Sequence, residues 1–234
     1  MNYHGLLLAA TLIATQAAAP EVEITSEPHH HLALENKSVR VFNVEIDPQT
    51  ETLMHWHRHD YFTINLGQAE ISNTVKDKSP VSVKFQDGDT RFAAATFAHA
   101  VRCTGAQPFR NVTIEILEDE SLRHATSAWD PGKNEDRALN IFQGGSQQIL
   151  FVEDGIRVSE FELRPGAIVP TQHHSGPHLL VAVSDIDIRS DVEGQGPMPG
   201  HFKAGDSKWL PGNYSHTLTN TGTKLARFVT LEFP

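Results

Sequence analysis

Two short segments of this chain occur twice and decide its fold. RVFNVEIDP at residues 40–48 reappears as RVSEFELRP at residues 157–165, and FRNVTIEI at residues 109–116 reappears as ARFVTLEF at residues 226–233. Both pairs align without a gap when the sequence is shifted by 117 residues. This period is too long for a solenoid, so the sequence predicts two copies of one small domain.

The apolar pattern within each copy is that of short strands. Runs rich in β-branched and aromatic residues, such as VFNVEI and NVTIEI, alternate with polar turn clusters, and no long helical periodicity is present. Each copy has the size of a small antiparallel barrel, about 90–110 residues. The predicted fold class is therefore all-β, with two tandem barrels that arose by internal duplication.

Four segments are predicted along the chain. Residues 1–19 lack Asp, Glu, Lys and Arg, and their apolar run leads into small residues, which is typical of a cleaved signal peptide and predicts a periplasmic or secreted protein. Barrel 1 is expected at residues 31–117 and barrel 2 at residues 149–234. A polar connector with a short helical turn near Ser121 to Ala128 is expected between them, at residues 118–148.

The composition excludes several classes of function. The 234 residues carry a net charge of -10 at pH 7, which argues against nucleic acid or an anionic membrane as a partner. The single cysteine, Cys103, excludes an internal disulfide and a Cys-x-x-Cys metal motif. The chain has 14 histidines, and these are the residues on which we expect the chemistry to depend.

A metal site in barrel 1 is predicted from the sequence His55-Trp56-His57. Alternate side chains of a strand project to the same face, so His55 and His57 share a face. His99 is the candidate third ligand, because the 117-residue shift aligns both His57 and His99 with histidines of the second copy. Three imidazoles arranged in this way are typical of transition-metal sites.

The corresponding residues of barrel 2 are less regular. His57 aligns with His174 and His99 aligns with His216, but Gln172 stands at the position of His55. Strand alternation places Gln172 and His174 on one face and His173 on the other. His178 follows closely and is a further candidate ligand, although a surface turn residue is an equal alternative.

A motif around His216 resembles one of the two motifs of the cupin superfamily. Gly205, Pro211, His216 and Asn220 fit the form G-x5-PxG-x2-H-x3-N, with Asn213 replacing its central Gly. The chain as a whole resembles a double-cupin, or bicupin, protein. The resemblance implies two cupin-type jelly-roll barrels with a mononuclear metal site at the mouth of at least one barrel.

The glutamate ligand of the family is absent from both copies. In the motif G-x5-HxH-x3-4-E-x6-G, Tyr61 occupies the Glu position of barrel 1, with Asp60 or His59 as alternatives, and His178 occupies it in barrel 2. The candidate metal ligands are therefore His55, His57, His99, Gln172, His174, His178 and His216.

Neutral imidazole and amide ligands suit Fe, Zn, Cu, Ni or Mn better than Mg or Ca, and they leave the charge of a divalent ion uncompensated. We therefore expect an anionic small-molecule ligand. The resemblance implies an oxygenase or isomerase acting on a small organic acid or phenolic compound. The alternatives are a non-catalytic module that binds a sugar or another small molecule, and a structural cupin with degenerate sites. A homodimer is compatible with the sequence, and no membrane partner is expected after signal cleavage.

Two further groups of residues have a structural interpretation. The tract His29-His30-His31 is interpreted as a polar linker that at most binds metal adventitiously. Glu45 recurs as Glu162 and Glu115 recurs as Glu232, and we interpret these four residues mainly as solvated or arginine-paired strand residues. The candidate partners are Arg40, Arg157, Arg110 and Arg227.

Overall fold

Nearly all of the regular secondary structure that the structure describes is β-strand. A computed structural model describes residues 20–117 and 139–234. The strands of barrel 1 are β1 (Val22–Glu23), β2 (His30–Glu35), β3 (Val39–Ile46), β4 (His55–His57), β5 (Tyr61–Asn65), β6 (Ala69–Val75), β7 (Val81–Phe85), β8 (Thr90–Ala93), β9 (Phe97–Cys103) and β10 (Phe109–Ile116). A short 3-10 helix, Ile24–Ser26, follows β1. The strands of barrel 2 are β11 (Leu139–Phe142), β12 (Gly145–Glu153), β13 (Ile156–Leu163), β14 (Ile168–His174), β15 (His178–Ala182), β16 (Ile186–Val192), β17 (Pro197–Phe202), β18 (Ser207–Leu210), β19 (Tyr214–Asn220) and β20 (Ala226–Glu232).

Each barrel consists of two sheets. Barrel 1 has the strand orders β1-β4-β9-β6-β7 and β2-β3-β10-β5-β8, and barrel 2 has β11-β12-β13-β20-β15-β18 and β14-β19-β16-β17. The duplication is visible in the strand bounds, since β13 begins at Ile156, 117 residues after β3 begins at Val39. The predicted all-β fold with two duplicated jelly-roll barrels is confirmed.

The two barrels pack against each other through a shared apolar core. Val41 of β3 and Ile114 of β10 contribute to this core from barrel 1, and Val158 of β13 and Leu231 of β20 contribute from barrel 2; all four are fully buried. The side chains that alternate with these along each strand point the other way, so that Phe42, for example, faces the interior of its own barrel. The central strands are therefore buried on both faces, because one face lines the barrel interior and the other fills the contact between barrels.

The structure differs from the predicted segment limits at two places. Residues 139–148, assigned to the connector, form β11 and the first part of β12. Residues 22–30, which precede the predicted start of barrel 1, contain β1, and this strand pairs in parallel with β4 so that Val22 lies opposite His55. The predicted signal peptide and the predicted helical turn near residues 121–128 lie outside the described residues. Within the described ranges, no helix has the length and apolar character needed to cross a membrane.

Candidate metal centre

Strands β4 and β9 bring three histidines together inside barrel 1. The strands are antiparallel, with His55 opposite His99 and His57 opposite Phe97. His55 is 0% exposed, His57 is 1% exposed and His99 is 9% exposed. One ligand nitrogen from each ring can be chosen so that all three lie within 4.8 Å of one another. The alternation of β4 thus places both histidines of the HxH motif on the inner face, as the sequence predicts.

Hydrogen bonds orient two of these rings for metal binding. The Nδ1–H of His55 donates to the carbonyl oxygen of Leu53 at 2.9 Å, and the Nδ1–H of His99 donates to Oδ1 of Asn73 at 2.8 Å. Because each Nδ1 carries the proton, each Nε2 keeps a free electron pair. Nε2 of His55 is buried without a partner, and Nε2 of His57 lies 3.0 Å from that of His99. Converging electron pairs of this kind fit a transition-metal ion.

The electrostatics of the cluster keep its histidines neutral. Burial, together with repulsion from neighbouring histidines, lowers the pKa of His55 to about 4 and that of His99 to about 3. Burial also lowers the pKa of His57, with contributions from His99 and His55. A metal ion therefore competes with few protons for these nitrogens at neutral pH.

A buried carboxylate supports the cluster from behind, and the sequence analysis did not identify it. Glu27 is 2% exposed, and its Oε1 accepts the backbone N–H of Leu53, whose carbonyl holds His55. Its Oε2 accepts Nδ1–H of His30 at 2.6 Å. Burial opposes ionisation of Glu27, but the hydrogen bonds from His30 and His29 outweigh it and lower the pKa of the carboxyl to about 2.

The linker interpretation of His30 is wrong. His30 begins strand β2, its side chain is 5% exposed, and its ring centroid lies 4.7 Å from that of His55. The tract was misread because its polar sequence resembles a linker, whereas a turn at Pro28 and His29 brings Nδ1 of His30 to the carboxylate of Glu27. His31 remains exposed, in agreement with a polar surface position.

Replacing Glu27 with Ala is expected to damage both the fold and the metal site. The change leaves the backbone N–H of half-buried Leu53 and the buried Nδ1 of His30 without their acceptor, which costs about 1–3 kcal/mol of unfolding free energy. Loss of the group that orients His55 should weaken metal binding about 10–100-fold. Urea denaturation and metal titration measure the two effects, and Glu23→Ala, a change at an exposed residue paired with Arg58, is the control.

The Glu position of the cupin motif holds a neutral phenol in barrel 1. Tyr61 stacks on His57 with ring centroids 4.0 Å apart and planes 18° apart, and it is 7% exposed. Burial raises the pKa of its hydroxyl, so the phenol stays protonated. The alternative Asp60 accepts the backbone N–H of Ala95, and neither Asp60 nor His59 belongs to the ligand cluster.

The predicted ligands of barrel 2 converge less completely. Nε2 of His174 lies 3.1 Å from that of His216, much as in barrel 1. His178 instead stacks on His174, with centroids 4.0 Å apart, and its Nε2 lies 3.2 Å from the hydroxyl of Tyr214. The amide nitrogen of Gln172 donates to another glutamine side chain at 3.3 Å. Among the described residues, the barrel 1 triad alone brings together three His, Cys, Asp or Glu ligand atoms.

Different second-layer partners distinguish the two barrels. Nδ1 of His174 donates to Oε1 of Glu232 at 2.9 Å, and Glu232 also binds Arg157. Glu115 occupies the same place in barrel 1, and it also binds an arginine, Arg40. However, Oε1 of Glu115 and Nδ1 of His57 both lack a hydrogen-bond partner. The arginine pairing of both glutamates agrees with the sequence interpretation, whereas their solvation does not, since Glu115 is 1% and Glu232 6% exposed.

Comparison with known proteins was made at the levels of sequence and of structure. No protein-family model and no curated protein matches this chain. Among solved structures, AerE from Microcystis aeruginosa aligns with a TM-score of 0.60 at 12% identity, covering 88% of this chain and 93% of that chain. Oxalate decarboxylase from Bacillus subtilis at pH 4.6 aligns with a TM-score of 0.61 at 13% identity, covering 90% and 75%. A mutant of that decarboxylase aligns with a TM-score of 0.62 over 84% and 69%.

These similarities concern the fold, because the identities are low. They agree with the paired sheets of the two barrels. The chain thus has a double-cupin fold, with a histidine triad in its first barrel that can hold a metal ion.

Proposed function

We propose that barrel 1 is a mononuclear transition-metal centre and that the protein is a metal-dependent enzyme acting on a small carboxylic acid. The convergence of the His55, His57 and His99 nitrogens carries this proposal. Imidazole ligands suit Zn, Fe, Cu or Ni, and we propose Mn as a further candidate for the bound ion. A bound ion of this type supplies Lewis acidity, which polarises a carboxylate or carbonyl of the substrate.

Charge and size support an acid as the substrate. Three neutral imidazoles leave the charge of a divalent ion uncompensated. The carboxylate of Glu27 binds Leu53 and His30 and is not itself a member of the triad. The cavity that contains the triad has a volume of about 180 Å³, and Arg91 lines it and adds a positive charge. This volume lies below the ~300–1,000 Å³ range of pockets for drug-sized ligands, so a compact acid fits best.

The residues around the triad have separate roles in this proposal. His55, His57 and His99 hold the ion, while the stacked ring of Tyr61 and the ring of Phe97, whose centroid lies 5.6 Å from that of His57, exclude water on one side. Arg91 packs over the ring of Phe85 at 4.2 Å and lines the cavity, and its ion pair with Asp89 is long, at 3.8 Å, so its guanidinium can also attract an anion.

A titration tests the proposal directly. Protein loaded with Co²⁺ is titrated with oxalate and other small mono- and dicarboxylates, and each titration is repeated with the matching neutral amide. Acids should change the visible spectrum of the cobalt and amides should not, because only the acids compensate the charge of the ion. The absence of any spectral change with every acid would contradict the proposal.

A binding protein without turnover is the second candidate. The protonated phenol of Tyr61 favours it, because a carboxylate at that position would be the natural proton acceptor beside the metal. Product analysis after incubation of the metal-loaded protein with an acid that binds, with and without oxygen, distinguishes the candidates: a changed acid supports the enzyme, and an unchanged acid supports binding alone.

A further inference from the structure

Barrel 2 encloses a larger cavity that the proposed metal chemistry does not use. Its volume is about 460 Å³, compared with about 180 Å³ in barrel 1. Its walls are mainly apolar: Phe161 and Phe228 line it from one sheet, stacked with centroids 4.8 Å apart, and Ile188 and Leu218 line it from the other. A cavity of this size with apolar walls is typical of a site for a small organic molecule.

Two of the three histidines that line this cavity, His174 and His216, have both ring nitrogens hydrogen-bonded without a metal ion, whereas Nδ1 of His178 is buried without a partner. His174 gives its Nδ1 proton to Glu232, so its Nε2 accepts a hydrogen bond from Nε2–H of His216. Nδ1 of His216 then accepts the hydroxyl proton of Ser190 at 2.7 Å. In barrel 1, Asn73 occupies the position of Ser190, and its Oδ1 accepts the Nδ1 proton of His99. The direction of the hydrogen bond is thus reversed between the two barrels. The hydrogen bonds of His174 and His216 are therefore complete in the metal-free protein.

The charges around the cavity select the class of ligand. No Asp or Glu is found among the described residues that line it, and the permanent charge on its lining is that of Lys208. This lysine is exposed on β18, and its ammonium forms no ion pair with any described residue. Met198 is 45% exposed and also lines the cavity, so the lysine and an apolar residue both lie where the cavity meets solvent.

We propose that barrel 2 is a metal-independent binding site for an amphiphilic carboxylic acid. The aromatic or alkyl body of the acid occupies the cavity between the two sheets, and its carboxylate pairs with Lys208. The site is separate from the triad of barrel 1, so its occupation does not depend on the reaction or the metal proposed for that barrel.

Binding of matched probes tests this proposal on the full chain. Metal-stripped protein in the presence of a chelator is titrated by calorimetry with phenylbutyrate and decanoate, and with the alcohol and the amine of each carbon skeleton. Both acids should bind about tenfold more tightly than the alcohols, and the amines most weakly, because of the positive charge at the cavity. Failure of both acids to bind, or equal affinity for acids and alcohols, would overturn the proposal.

Two exposed substitutions assign the binding to barrel 2. Lys208→Glu should weaken acid binding about tenfold or more and should improve binding of the amine. Arg91→Glu, at the equivalent position of barrel 1, should leave both affinities unchanged. His99→Ala should also leave acid binding intact, which separates this site from the proposed metal centre. Loss of acid binding in Arg91→Glu or His99→Ala, or retention in Lys208→Glu, would contradict the assignment.

Discussion

His99→Ala is expected to remove the metal from barrel 1. The Nε2 atom of His99 lies 3.0 Å from that of His57, and its loss leaves two imidazoles where the ion needs at least three protein ligands. Loss of an orienting partner alone costs 10–100-fold in affinity, so removal of a ligand should weaken binding by more than ~100-fold. Elemental analysis of protein never exposed to a nickel column measures the effect, and His57→Ala should behave in the same way.

The duplication supplies the matched control for this experiment. His216→Ala removes the equivalent histidine from barrel 2, where three His, Cys, Asp or Glu ligand atoms do not converge among the described residues. Metal content should therefore stay at the value of the unmodified protein. Equal losses in His99→Ala and His216→Ala would mean that the two barrels bind metal alike, and unchanged metal in His99→Ala would exclude the triad as the site.

The sequence was sufficient to predict the fold and the triad, for identifiable physical reasons. Ungapped repetition by 117 residues preserves the strand pattern, so β3 and β13 have equivalent bounds. The two-residue period of a strand places His55 and His57 on one face, and the duplication points to His99. These features depend on local periodicity and on the comparison of one half of the chain with the other, both of which can be read from the letters alone.

The remaining parts of the site depend on tertiary contacts that have no local signature. Glu27 reaches the backbone of Leu53 because β1 pairs with β4, and a two-residue parallel strand is too short to be recognised in a sequence. The cupin motif places His178 at a ligand position, but its ring stacks on that of His174 and does not converge with the other histidines on a common point. Side-chain direction at the start of a strand is decided by packing, so the spacing of the motif could not predict it.

Gln172→His is expected to create a second metal site, in barrel 2. Gln172 lies opposite His216 in the pairing of β14 with β19, as His55 lies opposite His99 in the pairing of β4 with β9. The Nδ1 proton of His174 is already held by Glu232, so its Nε2 electron pair faces His216 and the cavity. A third imidazole at position 172 would complete the arrangement seen in barrel 1, and metal content should rise from about one to about two ions per chain.

The double variant His99→Ala with Gln172→His isolates the new site, because barrel 1 is then expected to be empty. Metal content should return to about one ion per chain, and the ion should be lost again when His174→Ala is added. Gln172→Asn is the control, since it keeps an amide and should bind no additional ion. If Gln172→His gains no metal, the hydrogen bonds of His216 to Ser190 and His174 are stronger than the metal contacts that would replace them. The polar partner of the second histidine, Asn73 in one barrel and Ser190 in the other, would then decide which barrel can hold an ion.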